Sequence, residues 1–71
     1  MTILEACIEV LSAAEEPMPV AHIHAEIVRR SLYRFGAKEP VGVVRATLRR
    51  HLRADGSHRV IEVSRGVFRI V

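Results

Sequence analysis

The stretch PVGVVRATLRRHLRADGSHRVIEVSRGVFRIV, from Pro40 to Val71, changes its period midway, and that change decides the fold. Pro40 suits the first position of a helix, because its missing N–H would be unpaired there in any case. From it Val41, Val44, Leu48 and Leu52 recur at helical spacing and, at about 100° per residue, fall within one stripe. Gly42, Ala46, Arg49, Arg50 and Arg53 occupy the opposite half, with Arg45 at the boundary. The spacing predicts a helix to Arg53, stopped by Asp55-Gly56. Beyond Gly56 come two segments rich in Val and Ile, His58 to Val63 and Val67 to Val71, which read as strands. Ser64-Arg65-Gly66 between them is a hairpin signal, since Gly readily adopts a positive φ. Phe68 and Ile70 alternate with Arg69 and mark a core face, whereas the pattern leaves open whether Val60 or Ile61 points inward.

Upstream, Thr2 followed by Glu5 reads as a capping box, in which each side chain satisfies a backbone N–H left orphaned at a helix start. Leu4, Cys7, Ile8, Leu11 and Ala14 then recur at helical spacing with Val10 on their flank, while Glu5, Glu9, Ser12 and Glu16 lie on the other face. Pro17 and Pro19 end this first helix, because each lacks an N–H and biases its predecessor toward extended backbone. Met18 to Val20 is thus a short extended segment. A second helix from Val20 to Ser31 follows from Ile23, Ile27 and Val28, with His22, Glu26 and Arg29 on its solvent face. In the linker from Leu32 to Glu39, Leu32, Tyr33 and Phe35 are apolar enough to pack back on the core, and Gly36 offers a turn. Helix, extended segment, helix, helix, hairpin is the order of a winged helix-turn-helix. The expected class is α+β, three helices with a C-terminal β-hairpin wing, filling residues 1–71 as a single domain.

Seventy-one residues rule out a two-domain enzyme, and 49% hydrophobic residues suffice for a small core. One Cys excludes an internal disulfide framework and a cysteine-built zinc site, which points to a reducing compartment. Glu5 and Glu9 interrupt any signal-peptide pattern, and there is no apolar run of the roughly 18 residues that a membrane span needs. The expected location is therefore intracellular, cytoplasmic or with the nucleoid or nucleus, with no membrane partner. Charge is sharply divided. Residues 1–28 carry Glu5, Glu9, Glu15, Glu16 and Glu26 and no Lys or Arg. From Arg29 onward, ten Arg and Lys38 face only Glu39, Asp55 and Glu62. The planar guanidinium fork matches phosphate and guanine edges, so double-stranded DNA is the leading partner. The blander alternative is an arginine-rich surface that only solubilises the domain and offsets its acidic half.

The chain also resembles the HARE-type helix-turn-helix domains found in chromatin and restriction-enzyme-associated proteins. The resemblance rests on Leu4-Glu5-Ala6 with Val10-Leu11, Glu16-Pro17-Met18, Ile23, Ile27 and Leu32-Tyr33. It continues through Lys38-Glu39-Pro40 with Val44 and Leu48, and closes on Val63-Ser64-Arg65-Gly66-Val67-Phe68. Two positions depart from the pattern, Glu39 and Val43, where it usually has Thr, and Glu is the weaker helix N-cap. The resemblance implies a DNA-binding module, often attached to other domains and not itself catalytic. An end at Val71, on the last wing strand, suits a domain excised from a longer chain.

In helix-turn-helix docking the last helix of the unit enters the major groove and a wing or arm touches the backbone. The candidate reading surface is therefore Arg45, Arg49, Arg50 and Arg53, with Gly42 and Ala46 allowing close approach. Arg65 at the hairpin tip, with Arg59 and Arg69 on its strands, is expected to contact the backbone. The competing reading is a protein-interaction winged helix, a homodimer through the acidic first helix or an adaptor to a polymerase or nuclease subunit. His22 and His24 stand two apart and diverge on a helix, so they are no ready metal pair. Cys7 falls in an apolar stripe as an inert core thiol, and His51 borders the buried stripe as a packed or hydrogen-bonded residue. There is no phosphate-cradling Gly loop, no nucleophile motif and no Ser/His/Asp set, so neither catalysis nor a cofactor or metal is expected.

Overall fold

A computed structural model describes residues 1–54 and 60–70, with the backbone alone for Arg53 and Ala54. Helix α1 spans Ile3–Ala13. Its capping box forms as expected: the Glu5 N–H donates to Thr2 Oγ1 at 3.1 Å and the Thr2 N–H donates to Glu5 Oε1 at 2.7 Å. That backbone N–H bond, followed by the Thr2 hydroxyl, holds the exposed Glu5 carboxyl below its ordinary value. The buried stripe is rotated from the expected one: Ala6 and Cys7 are fully buried with Val10 and Leu11, while Leu4 and Ile8 are only partly covered. Small Ala6 faces inward because α1 packs against both other helices. Ala14 turns extended and its N–H closes the helix on the Leu11 carbonyl at 3.2 Å, ahead of Pro17, which has no N–H to offer Ala13.

Strand β1, Met18–Pro19, leads directly into α2, Val20–Arg29. Val20, Ile23 and Ile27 bury their side chains, but Val28 is 53% exposed, contrary to expectation. It lies about 100° around the helix from Ile27, off the core side. The helix closes with a complete Schellman motif. The Ser31 N–H meets the Val28 carbonyl at 3.1 Å and the Leu32 N–H meets the Ile27 carbonyl at 3.0 Å. This motif needs a left-handed residue, and Ser31 supplies it at φ 54, a place where Gly is the usual occupant. Ser31→Gly should accordingly raise stability by about 0.5 to 1 kcal/mol; a urea midpoint unchanged or lowered would show that Ser31 is not strained.

Leu32, Tyr33 and Phe35 pack against the core, as expected of the linker. Tyr33 and Phe35 meet edge to face at 5.1 Å, and His24 meets Phe35 in the same way at 5.0 Å. Helix α3 spans Pro40–Ala54. It starts at Pro40 even with Glu39 ahead of it, and the Val43 N–H donates to the Glu39 carbonyl at 3.2 Å. Val44 and Leu48 are fully buried and Val41 and Leu52 partly so, which matches the expected stripe. The expected stop at Asp55-Gly56 lies outside the described residues, as do His58 and Val71.

Strands β2, Val60–Ser64, and β3, Val67–Ile70, form the wing hairpin across Arg65-Gly66, with Gly66 at φ 76. Val60 and Phe68 are the inward residues, fully buried, while Ile61 is 38% exposed. An irregularity between Glu62 and Ser64 leaves Val63 as an extra residue opposite β3. The extended segment before α2 proves to be a third strand. Met18 pairs with Phe68 and Pro19 with Val67, giving the order β1-β3-β2, and the Val20 N–H donates to the Gly66 carbonyl at 3.0 Å. Pro19 is tolerated because β1 is an edge strand. Among the described residues, no helix is long and apolar enough to cross a membrane.

Candidate nucleic-acid interface

Because Val44 and Leu48 hold one side of α3 in the core, the helix presents its other side outward. Arg45, Ala46 and Arg50 are exposed there. Gly42 is half-buried, and a Cβ added to it would meet only Glu39 Cβ, at 3.9 Å, an ordinary contact. The small residues thus keep this surface low without being required by the protein's own packing. Arg53 belongs to the same helix, but its side chain lies outside the described residues, as does Arg59.

On the wing, Arg65 at the turn and Arg69 on β3 are exposed. Arg69 stands opposite Ile61 on the outward side of the sheet, because Val60 and Phe68 take the inward one. Helix and wing meet at a carboxylate. Arg49 Nη2 donates to Glu62 Oε2 at 3.3 Å, and the Gly66 N–H donates to the same oxygen at 2.8 Å. The Gly66 amide, then the Arg49 hydrogen bond and charge, then the charge of Arg65, hold the Glu62 carboxyl below its ordinary value. Glu62 was not singled out from the residues alone. The available signal is that it is the sole acid between Asp55 and the last residue, in a segment otherwise cationic.

The remaining cations sort by partner. Arg29 forms a two-bond fork with Glu26, at 2.9 and 2.8 Å, and Arg30 lies 3.9 Å from Glu9, so both face the acidic half of the chain. Arg34 and Lys38, in the linker ahead of α3, are exposed. His22 is exposed and His24 packs on Phe35; among the described residues no group of three or more His, Cys, Asp or Glu is placed to hold a metal. Burial pushes the Cys7 thiol up to about 11, so it stays protonated and unreactive at neutral pH. His51 is packed rather than hydrogen-bonded: its Nε2 is buried with no partner among the described residues.

Three helices followed by a β-hairpin wing, with an arginine-bearing third helix facing out, define a winged helix-turn-helix. Residues 1–70 match the HARE-HTH family, the helix-turn-helix domain of ASXL proteins and restriction endonucleases, and the chain belongs to that family. It is a helix-turn-helix DNA-binding type of domain and not a catalytic family. No curated protein and no solved structure matches the chain.

Proposed function

We propose that residues 1–71 act as one duplex-DNA-binding module, in which α3 enters the major groove and the wing rests on the phosphate backbone. The observation that carries this reading is the two-sidedness of α3: Val44 and Leu48 are fully buried on one side, while Arg45, Ala46 and Arg50 stand exposed on the other. A helix built this way lets its backbone approach base edges while guanidinium groups reach phosphates or guanine. Arg65 and Arg69 give the wing the charge for non-specific backbone contact. Arg53 and Arg59 join this surface in the proposal. Such a module works where duplex DNA is, in the cytoplasm, nucleoid or nucleus, in a transcription, chromatin or restriction setting, alone or tethered to a neighbouring domain. The experiment is a titration of labelled duplex at several salt concentrations, because phosphate contacts release counterions and a protein–protein contact largely does not.

A further inference from the structure

Arg49 sits on the flank of α3 that faces the wing, and its guanidinium already meets a carboxylate, that of Glu62 at 3.3 Å. The carboxylate is fixed by backbone. Its Oε2 takes the Gly66 N–H at 2.8 Å, and the Gly66 carbonyl in turn takes the Val20 N–H at 3.0 Å, which ties the wing turn to the start of α2. Glu62 is thus anchored to the folded frame, with its side chain 23% exposed, while that of Arg49 remains 42% exposed.

This arrangement changes what Arg49 offers a polyanion. A phosphate approaching it also approaches the charge of Glu62, so the pair presents almost no net charge to neutralise. A base edge is different, because it asks for hydrogen-bond donors rather than charge. The guanidinium has five N–H donors in a rigid fork, and only Nη2 is engaged by Glu62. Holding a long side chain in one place also removes much of the ordering cost of using it. We infer that Glu62 makes Arg49 a pre-oriented reader of base edges rather than a phosphate-neutralising cation, and is thereby a specificity-determining positioning residue. The inference rests on the DNA-binding reading above.

The test compares Arg49→Ala, Glu62→Gln and the double variant, using a duplex selected from a random pool and a scrambled duplex, each across a salt series. In Glu62→Gln the amide oxygen can still accept the Gly66 N–H, so the wing turn is kept while the charge is removed; a melting curve checks this. Arg49→Ala should weaken the selected duplex about tenfold or more, with the scrambled duplex little affected and the salt slope unchanged. Glu62→Gln should release Arg49 to phosphate: the slope steepens by about one unit, the scrambled duplex gains about threefold at low salt, and discrimination shrinks. The double variant should show no such steepening. A merely structural role for Glu62 would instead lower the melting temperature and weaken both duplexes alike. The inference is overturned if Arg49→Ala reduces the slope by about one unit, which is the signature of a phosphate contact. It is equally overturned if Glu62→Gln changes neither slope nor discrimination, or if the wild type prefers no sequence. A wild type that binds no duplex at any salt overturns the DNA-binding reading itself.

Discussion

Leu48→Ala should cost about 2 to 5 kcal/mol of folding stability, the range for deleting a fully buried leucine and leaving a cavity. Leu48 has no solvent exposure and sits mid-way along α3, in one core cluster with Ile23, Ile27, Val60 and Phe68. A domain of this size has only about 4 to 10 kcal/mol in all, at the usual stability per residue. The variant should therefore be partly or wholly unfolded at room temperature, as thermal or urea unfolding followed by circular dichroism would show. A melting curve like that of the wild type would mean that α3 turns another side to the core. The outward placement of its arginines would then fail with it.

Arg50→Ala and Arg65→Ala should fail in different ways, and neither should do much to stability, since exposed arginines typically contribute within about 0.5 kcal/mol. Arg50 is on the outer side of α3, where a reading helix meets base edges; Arg65 is at the wing turn. Loss of Arg50 should cost about 1 to 3 kcal/mol at a preferred sequence and flatten the preference between sequences. Loss of Arg65 should weaken all duplexes alike and reduce the salt slope by about one unit. One competition assay with a selected and a scrambled duplex separates them. Equal, sequence-independent losses would describe a backbone binder without a reading helix, and no loss from Arg50→Ala would take α3 out of the interface.

Local signals carried most of the fold. The Thr2–Glu5 capping box, the Val41-Val44-Leu48-Leu52 stripe and the Ser64-Arg65-Gly66 turn each depend on residues within a few positions of one another, and each forms. What periodicity missed depends on distant partners. Ala6 is buried because two other helices converge on α1, so a small residue counts there as core although its hydrophobicity is slight. Val28 is apolar yet exposed, because the narrow buried side of α2 is already filled by Val20, Ile23 and Ile27. Met18–Pro19 reads as merely extended until Val67 and Phe68, far along the chain, are found beside it. Ser31 takes a left-handed turn where Gly36 looked the better candidate, because the Schellman bonds at the end of α2 impose that conformation on whichever residue stands there. At the candidate site, the outward Arg45, Ala46 and Arg50 follow from helical geometry. The Arg49–Glu62 contact does not, since it joins a helix to a strand across 13 positions of sequence.

Duplex binding as a function of salt tests the central proposal most directly. Exposed Arg45, Arg50, Arg65 and Arg69 provide for phosphate contact while Arg49 is held by Glu62. With about four to six phosphates contacted, log K should fall against log salt with a slope of about −4 to −5. Affinity should then drop by a factor of several hundred or more between about 50 and 200 mM salt, as fluorescence anisotropy of a labelled duplex would record. No binding at low salt, or binding whose slope is flat, would contradict the proposal and turn attention to a protein partner.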